Sequence, residues 1–392
     1  MASEFPKSPV ELLQRMVGFN TVNQINQGVP FVEGEMAAFL EQVARAWGLE
    51  TMRLPIKSGG FNLLITHQVD AAAPWLLFES HMDTVSTEGM TVEPFAAEIR
   101  DGRLYGRGAC DTKGTGAAML WSLKTLSESK SLDVNIAVLF TVDEEAAKTG
   151  IQAFTNSQID QLNWRPLGAI VGEPTLLRMI IANNGVVRWK ICTKGVATHS
   201  ADPSQGRSAI SAMVKVIDAV ETRYVPSLQA TNPLVGKAQA SINMIRGGTV
   251  INMIPNECTV SVDRRIVPGE DPTTVLPAVE ALLDELRTAD PSLEVEQLEP
   301  FIDPPLNPEF SQDFADKVGS VLAELGYSTE PVGAAYGTDA SNLADGGIPA
   351  VVLGPGSIDQ AHKVDEYLEL DQLQQGVRVY CELMSKPADY WS

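Results

Sequence analysis

Apolar residues fall into short blocks along this chain, and the spacing within each block predicts an element. Residues 75–78, Trp-Leu-Leu-Phe, form an unbroken apolar run that leads into His81 and Asp83. A run of this length bounded by polar residues predicts a central strand of a covered parallel sheet. Residues 134–142 and 169–171 repeat the pattern and end in Asp143-Glu144-Glu145 and Gly172-Glu173. Residues 62–66 and 350–353 read as further strands. Between the strands the spacing turns helical. Ser8 caps a helix to about Val17, with Pro9 in its first turn and Glu11 completing a capping box. Other helices cover 33–47, ended by Gly48, and 114–126, opened by the glycine-rich stretch 106–114; another starts at Asn307-Pro308. Asp101-Gly102 predicts a hairpin turn between 97–99 and 104–105. Strands alternating with helices predict an α/β domain.

The pattern changes after about Asn184. Residues 186–193 alternate polar and apolar positions, as a strand with one solvated face does. A helix over 207–224 follows, then strands over 238–245 and 258–266 around Gly247-Gly248. Asp271 caps a second helix to about Arg287, and 293–298 is a last strand. That order, β-α-β-β-α-β, predicts a ferredoxin-like α+β sandwich. Strands over 330–335 and 350–353 then restore the first pattern. The expected organisation is a discontinuous catalytic domain, 1–184 and 303–392, with an inserted domain over 185–302. Its length, about 120 residues, suits one domain.

Composition narrows the function. A chain of 392 residues exceeds what one hydrophobic core supports, which agrees with two domains. The net charge of −21 argues against nucleic acid and anionic membranes as partners, since both attract basic patches. Cys110, Cys192, Cys258 and Cys381 are scattered without a CxxC pair and read as reduced, mostly buried thiols. The N-terminus lacks the basic-then-apolar order of a signal peptide, and no apolar run is long enough to span a bilayer. The expected location is the cytoplasm.

Acidic and imidazole side chains recur where predicted strands end: His81 with Asp83, Glu144-Glu145 and Glu173. Asp111 closes the glycine-rich stretch, and His362 lies a short loop beyond residue 353. Parallel strands would put these groups on one rim, where ligands of such sheets bind. Imidazole and carboxylate without thiolate suit zinc, cobalt or manganese at a catalytic site. Two histidines and three carboxylates suffice for two ions sharing one carboxylate. Such a pair can lower the pKa of a water and polarise a carbonyl, with a further carboxylate as general base. Taken singly, each piece has a plainer reading. Paired glutamates are usually solvated, a lone histidine is usually structural, and Cys110 beside Asp111 is more simply a packing residue.

Five segments in register carry a resemblance: Ser80-His-Met-Asp-Thr-Val85, Gly106-Arg-Gly-Ala-Cys-Asp111, Asp143-Glu-Glu145, Gly172-Glu-Pro-Thr175 and His362-Lys-Val-Asp-Glu366. Together they resemble the acetylornithine deacetylase, succinyl-diaminopimelate desuccinylase and glutamate carboxypeptidase family of dizinc hydrolases, across nearly the whole chain. The resemblance implies a zinc-peptidase-like mixed sheet flanked by helices, with the inserted domain as lid and dimerisation surface. It implies that His81 and Glu173 bind one ion, Glu145 and His362 the other, and that Asp111 bridges them. Asp83 would orient the His81 ring. Glu144 would take the proton from the water between the ions and deliver it to the leaving amine. A cis peptide after Asp111 is implied as well, although Thr112 stands where methionine is commoner. His199, in Ala197-Thr-His-Ser-Ala201, would stabilise the oxyanion across a dimer interface. Asn252 and Arg265 would hold substrate, with Arg265 clamping its carboxylate. Gly337, Thr338 and Gly356 would shape the rim of the specificity pocket.

The resulting expectation is a metal-dependent amidohydrolase that cleaves an N-acyl amino acid, with two divalent ions, zinc or else cobalt or manganese, in a homodimer. The same constellation serves a carboxypeptidase or dipeptidase. A catalytically silent, ligand-binding relative is the alternative of another class, and the intact Glu144 speaks against it.

Overall fold

The computed structural model describes residues 5–24, 28–29, 31–57, 59–129 and 132–391. The first four residues of the N-terminal stretch read above lie outside these. The chain divides into two compact units, Met1–Ile181 with Pro308–Val332 and Thr338–Ser392, and Ala182–Asn307 with Gly333–Gly337.

The first unit is built on a mixed sheet. Trp75–His81 pairs in parallel with Asn135–Thr141 on one side and Pro166–Val171 on the other. Ala350–Val352 adds a fourth parallel strand beside Pro166–Val171. Phe61–His67 and Glu50–Pro55 extend the other edge antiparallel. Every residue of Trp75–His81 and Asn135–Thr141 is buried, which is why these strands read as continuous apolar runs rather than alternations. The strand Trp75–His81 continues three residues beyond the apolar run, through Glu79 and Ser80 to His81. His67 is half-buried at the end of its strand.

Helices cover the sheet. Helix Lys113–Ser129 packs against Pro9–Val17 and Leu370–Met384. Gly116 of that helix lies over the sheet so closely that a Cβ there would stand 2.8 Å from the Phe140 ring. Ser8 accepts the Glu11 N–H as cap, while Glu11 Oε2 reaches the Lys7 N–H, one residue outside the reciprocal bond of a capping box. The hairpin at Asp101-Gly102 forms as expected, and its strand Arg103–Tyr105 gains a second partner, Tyr367–Glu369.

The second unit is an antiparallel sheet whose strands lie in the order Gln239–Gly247, Glu257–Ile266, Gly185–Lys194, Glu294–Gln297. Helices Ala209–Ala219 and Val275–Ala289 share one core with it, including Trp189, Ile191, Met213, Val260, Val279 and Leu283. This is the split β-α-β-β-α-β arrangement. Strict alternation in Glu257–Ile266 sends Val260 and Val262 inward and leaves Ser261, Asp263 and Arg265 half-exposed. Among the described residues no helix is long and apolar enough to cross a membrane.

Truncating a ring at the centre of the first unit's sheet should be costly. Phe140→Ala, at a position with 0% exposure, should lower stability by about 3–5 kcal/mol, read from the midpoint of urea unfolding.

Candidate metal centre

Parallel strand direction places the chemistry. His81 is the last residue of its strand; Glu144 and Glu145 follow Asn135–Thr141; Glu173 follows Pro166–Val171. These strands run the same way side by side, so their carboxyl ends share a rim. Asp111 reaches that rim from the loop ahead of helix Lys113–Ser129. The loop is tight: Gly108 has φ +81°, and a Cβ on it would lie 2.7 Å from Thr84. The Asp111–Thr112 peptide is cis.

Asp111 stands between two imidazoles. Its Oδ1 is 3.3 Å from His81 Nε2, and its Oδ2 is 3.3 Å from His362 Nε2. Glu173 lies on the His81 side at 3.9 Å, and Glu145 on the His362 side at 3.2 Å. Donors of His81, Asp111 and Glu145 lie within 4.8 Å of one another. Two atoms each about 2.0–2.2 Å from a shared zinc stand roughly 3–4 Å apart, so the spacing fits a metal. The donor set is nitrogen and oxygen throughout. Cys110 Sγ instead faces the Ser357 carbonyl at 3.4 Å, which fits the packing role read from the sequence.

Asp83 differs in detail from the expected arrangement. His81 Nδ1 is 3.0 Å from the Asp83 main-chain carbonyl and 3.5 Å from its carboxylate, so the closer bond goes to the backbone. Either way Nδ1 carries the proton and Nε2 is left as ligand atom. The Asp83 carboxylate is engaged elsewhere. It accepts the N–H groups of Glu144 and Glu145 at 3.0 and 3.1 Å and an N–H of Asn23 at 2.8 Å. Glu144 itself lies 3.3 Å from the Lys148 ammonium.

Burial moves the titration of these groups. It pushes Glu145 up to about 7, helped by the Asp111 charge, and the same two causes hold Glu173 well above the carboxylate range. Burial raises Glu144 also, with the Lys148 ammonium opposing it. The burial penalty on Asp111 is outweighed by hydrogen bonds from His362 and His81, which hold it below its usual range. Hydrogen bonds to Asp111 and then Glu145 push His362 up to about 10. Burial pulls His81 down, but its bonds to Asp111 and Asp83 prevail and keep it well above an ordinary imidazole. Carboxylates outnumber the cations that face them, and such a site favours a bound cation.

The remaining candidates lie elsewhere. His199, Asn252, Arg265 and Gly337 belong to the second unit. There His199 and Asn252 are neighbours, for Thr198–His199 pairs with Met253–Ile254 and Ser200 N–H donates to the Asn252 carbonyl. His199 is exposed, and its Nδ1 accepts the Ala201 N–H at 3.1 Å. Arg265 is bound to Asp263 at 2.8 Å. A groove of about 590 Å³ in this unit is lined by Lys190, Met244, Arg246, Thr259 and Ser261, among others. In the first unit, Thr338 is buried at the start of helix Asp339–Asp345. Gly356 has φ +90°, and a Cβ there would meet Cys110 Sγ at 2.6 Å.

Several residues carry more than their sequence context suggests. Glu366 is fully buried, pairs with Arg107 at 2.7 Å and accepts the N–H groups of Gly108, Cys110 and Asp111. It shapes the loop that presents Asp111. Its place at the end of the His362 motif was the available signal. Beneath His81, one Thr141 hydroxyl lies 2.6 Å from Glu79 and 3.2 Å from Asp339. Burial pushes Glu79 up to about 7 and Asp339 well above its range, so a carboxyl there keeps its proton. No spacing in the sequence pairs residues so far apart.

Known proteins resemble this chain over most of its length. Residues 77–386 match the model of peptidase family M20/M25/M40. An acetylornithine deacetylase of Photorhabdus laumondii is 30% identical over 372 residues, 92% of each chain. Another, of Edwardsiella ictaluri, is 33% identical over 333 residues, 82% of each. Among solved structures, an M20 family metallo-carboxypeptidase of Sulfolobus solfataricus superposes with a TM-score of 0.75 at 17% identity, covering 97% of this chain and 99% of its own. A tripeptidase of Staphylococcus aureus gives 0.75 at 20% identity, covering 96% and 97%. At these identities the structural likeness speaks for the fold. The chain belongs to peptidase family M20/M25/M40 and is a metal-dependent hydrolase of amide bonds.

Proposed function

We propose that this enzyme hydrolyses N-acyl amino acids, with two divalent ions held by His81, Asp111, Glu145, Glu173 and His362. The observation that carries the reading is Asp111, which turns one carboxylate oxygen to each imidazole. Zinc suits these donors, as do cobalt and manganese. When bound, the ions supply Lewis acidity toward the amide carbonyl and acidify a water at the site.

The chain's own groups do the rest. Glu144 takes a proton from the attacking water and returns it to the amide nitrogen as the C–N bond breaks, leaving a carboxylate and a free amine. Asp83 keeps His81 in the tautomer that leaves Nε2 unprotonated. His199, whose Nδ1 already accepts an N–H, carries its proton on Nε2 and is the proposed donor to the oxyanion. Asn252 and Arg265 are the proposed substrate contacts of the second unit, with Arg265 held ready by Asp263, and Gly337 joins them from that unit. Thr338 and Gly356 are the proposed rim in the first. The deacetylase names of the relatives support an acyl amino acid as substrate. The peptidase names of the structural neighbours support a peptide bond as the second reading.

A homodimer through the second unit is part of the proposal. Among the described residues, strand Gln239–Gly247 is paired along one edge, to Glu257–Ile266. Met244 and Ile245 on it, Ile251 beyond it, and Ile210 and Val214 on helix Ala209–Ala219 are exposed. An open strand edge with apolar neighbours is a template for pairing. The cysteines are free, three of them buried, which suits the proposed cytoplasmic location.

The deciding experiment offers N-acetyl, N-succinyl and dipeptide substrates to chelator-stripped protein, with zinc, cobalt or manganese returned. Release of a free amino acid from one acyl class, dependent on metal, is expected. Cleavage confined to dipeptides would establish the second reading instead. Glu144→Ala should keep its metal and lose about 10²–10⁴-fold in kcat, whereas His81→Ala should lose metal by elemental analysis. Light scattering should find a dimer in the native chain and a monomer in Ile245→Asp; a monomeric, active native chain would remove the dimer.

A further inference from the structure

The segment after the first helix supplies none of the proposed ligands, yet it is bound to the strand end beside them. Asn23 N–H donates to the Thr84 carbonyl at 2.8 Å, and Thr84 N–H to the Thr21 carbonyl at 3.0 Å. The segment therefore runs alongside the residue that follows Asp83. This brings the Asn23 side chain between two carboxylates from different strand ends. Its Nδ2 lies 2.8 Å from Asp83 Oδ2 and 2.8 Å from Asp143 Oδ1. A primary amide nitrogen carries two N–H bonds, so one side chain can serve both acceptors.

Each acceptor is already committed to the site. Asp83 holds the N–H groups of Glu144 and Glu145 and follows His81 by two residues. Asp143 precedes Glu144, and its φ of +63° turns the chain sharply there. Its N–H donates to Glu33 at 3.2 Å, and its Oδ2 accepts the hydroxyl of Thr149 at 2.8 Å. Without a donor between them, Asp83 and Asp143 would be two buried carboxylates facing each other, and like charges repel more strongly away from water.

We propose that Asn23 is a positioning residue: by donating to Asp83 and Asp143 together, it sets the spacing between the strand end that carries His81 and the turn that carries Glu144 and Glu145. The inference rests on the dimetal reading. A base and ligands drawn from separate strands must agree in position, and a displacement of about 1 Å can cost about 100-fold in rate. Asn23 acts on that distance without touching substrate or metal.

The test uses the full chain loaded with cobalt, whose visible absorption reports ligand geometry. Asn23→Leu preserves the shape of the side chain and removes both donors. It should bind cobalt with a displaced absorption band and lower kcat by about 10–100-fold, with KM changed by less than about threefold. Asn23→Ser, which has one O–H to offer, should fall between it and the native chain. If the leucine variant fails to fold, the serine variant decides on the same readouts. An unchanged band and a kcat within about twofold of native would make Asn23 a structural brace and overturn the proposal. Should the native chain cleave none of the acyl or peptide substrates, the proposed function fails by itself. The cobalt band and cobalt affinity of the variants then still decide the role of Asn23.

Discussion

Negative charge held out of water sets the terms for the first unit. Asp83, Asp111, Asp143 and Glu173 are all buried, and Glu144 and Glu145 are nearly so. Facing them are two imidazoles and the Lys148 ammonium. An isolated buried carboxylate is too costly to remain charged, so each must find donors, share a proton or meet a cation. All three solutions appear. Asp83 takes backbone and amide N–H groups, the Glu79–Asp339 pair keeps a proton, and the cluster around Asp111 has the spacing of a divalent metal site.

That requirement explains the backbone around the site. A parallel sheet delivers side chains to one rim but does not aim them; the turns after the strands do. Asp143 and His362 have positive φ without being glycine, at +63° and +62°. Residues hold such conformations when surrounding bonds over-determine them, and sites are where they gather. The supports here are Asn23 and Thr149 on Asp143, and Glu366 beneath the Asp111 loop. Orientation of a ligand by its neighbours decides affinity and rate as much as the ligand itself.

The second unit answers to a different constraint. Its sheet buries one face against two helices and leaves the other polar, so alternation rather than continuous burial rules its strands. A sheet of this kind keeps open edges, and among the described residues Gln239–Gly247 is one of them. The cost of leaving peptide groups unpaired next to exposed Met244 and Ile245 is the physical ground for the proposed pairing with a second chain.

Much of the architecture was legible in one sequence, because its signals are local. Apolar runs at 75–78 and 134–142, caps at Ser8 and Asp271, and the shift to alternation near residue 185 follow from the pleat and the helical repeat, which act over a few residues. Ligand types were legible as well, since His81, Glu145 and Glu173 sit at predicted strand ends, Asp111 closes the glycine-rich stretch and His362 follows a strand by a short loop. Short or mixed elements were missed: Glu50–Pro55 has no apolar run to mark it although it pairs with the next strand, and Ile180–Asn183 and Tyr367–Glu369 depend on partners supplied from far along the chain. The same holds for function. Residue types and order determined that histidine and carboxylate would meet at one rim. Only the tertiary structure decided that Asp111 divides its oxygens between two imidazoles, that Glu366 underpins its loop, and that Asn23 joins Asp83 to Asp143. Those are contacts between residues 30 to 259 positions apart, and no local pattern encodes a distance in space.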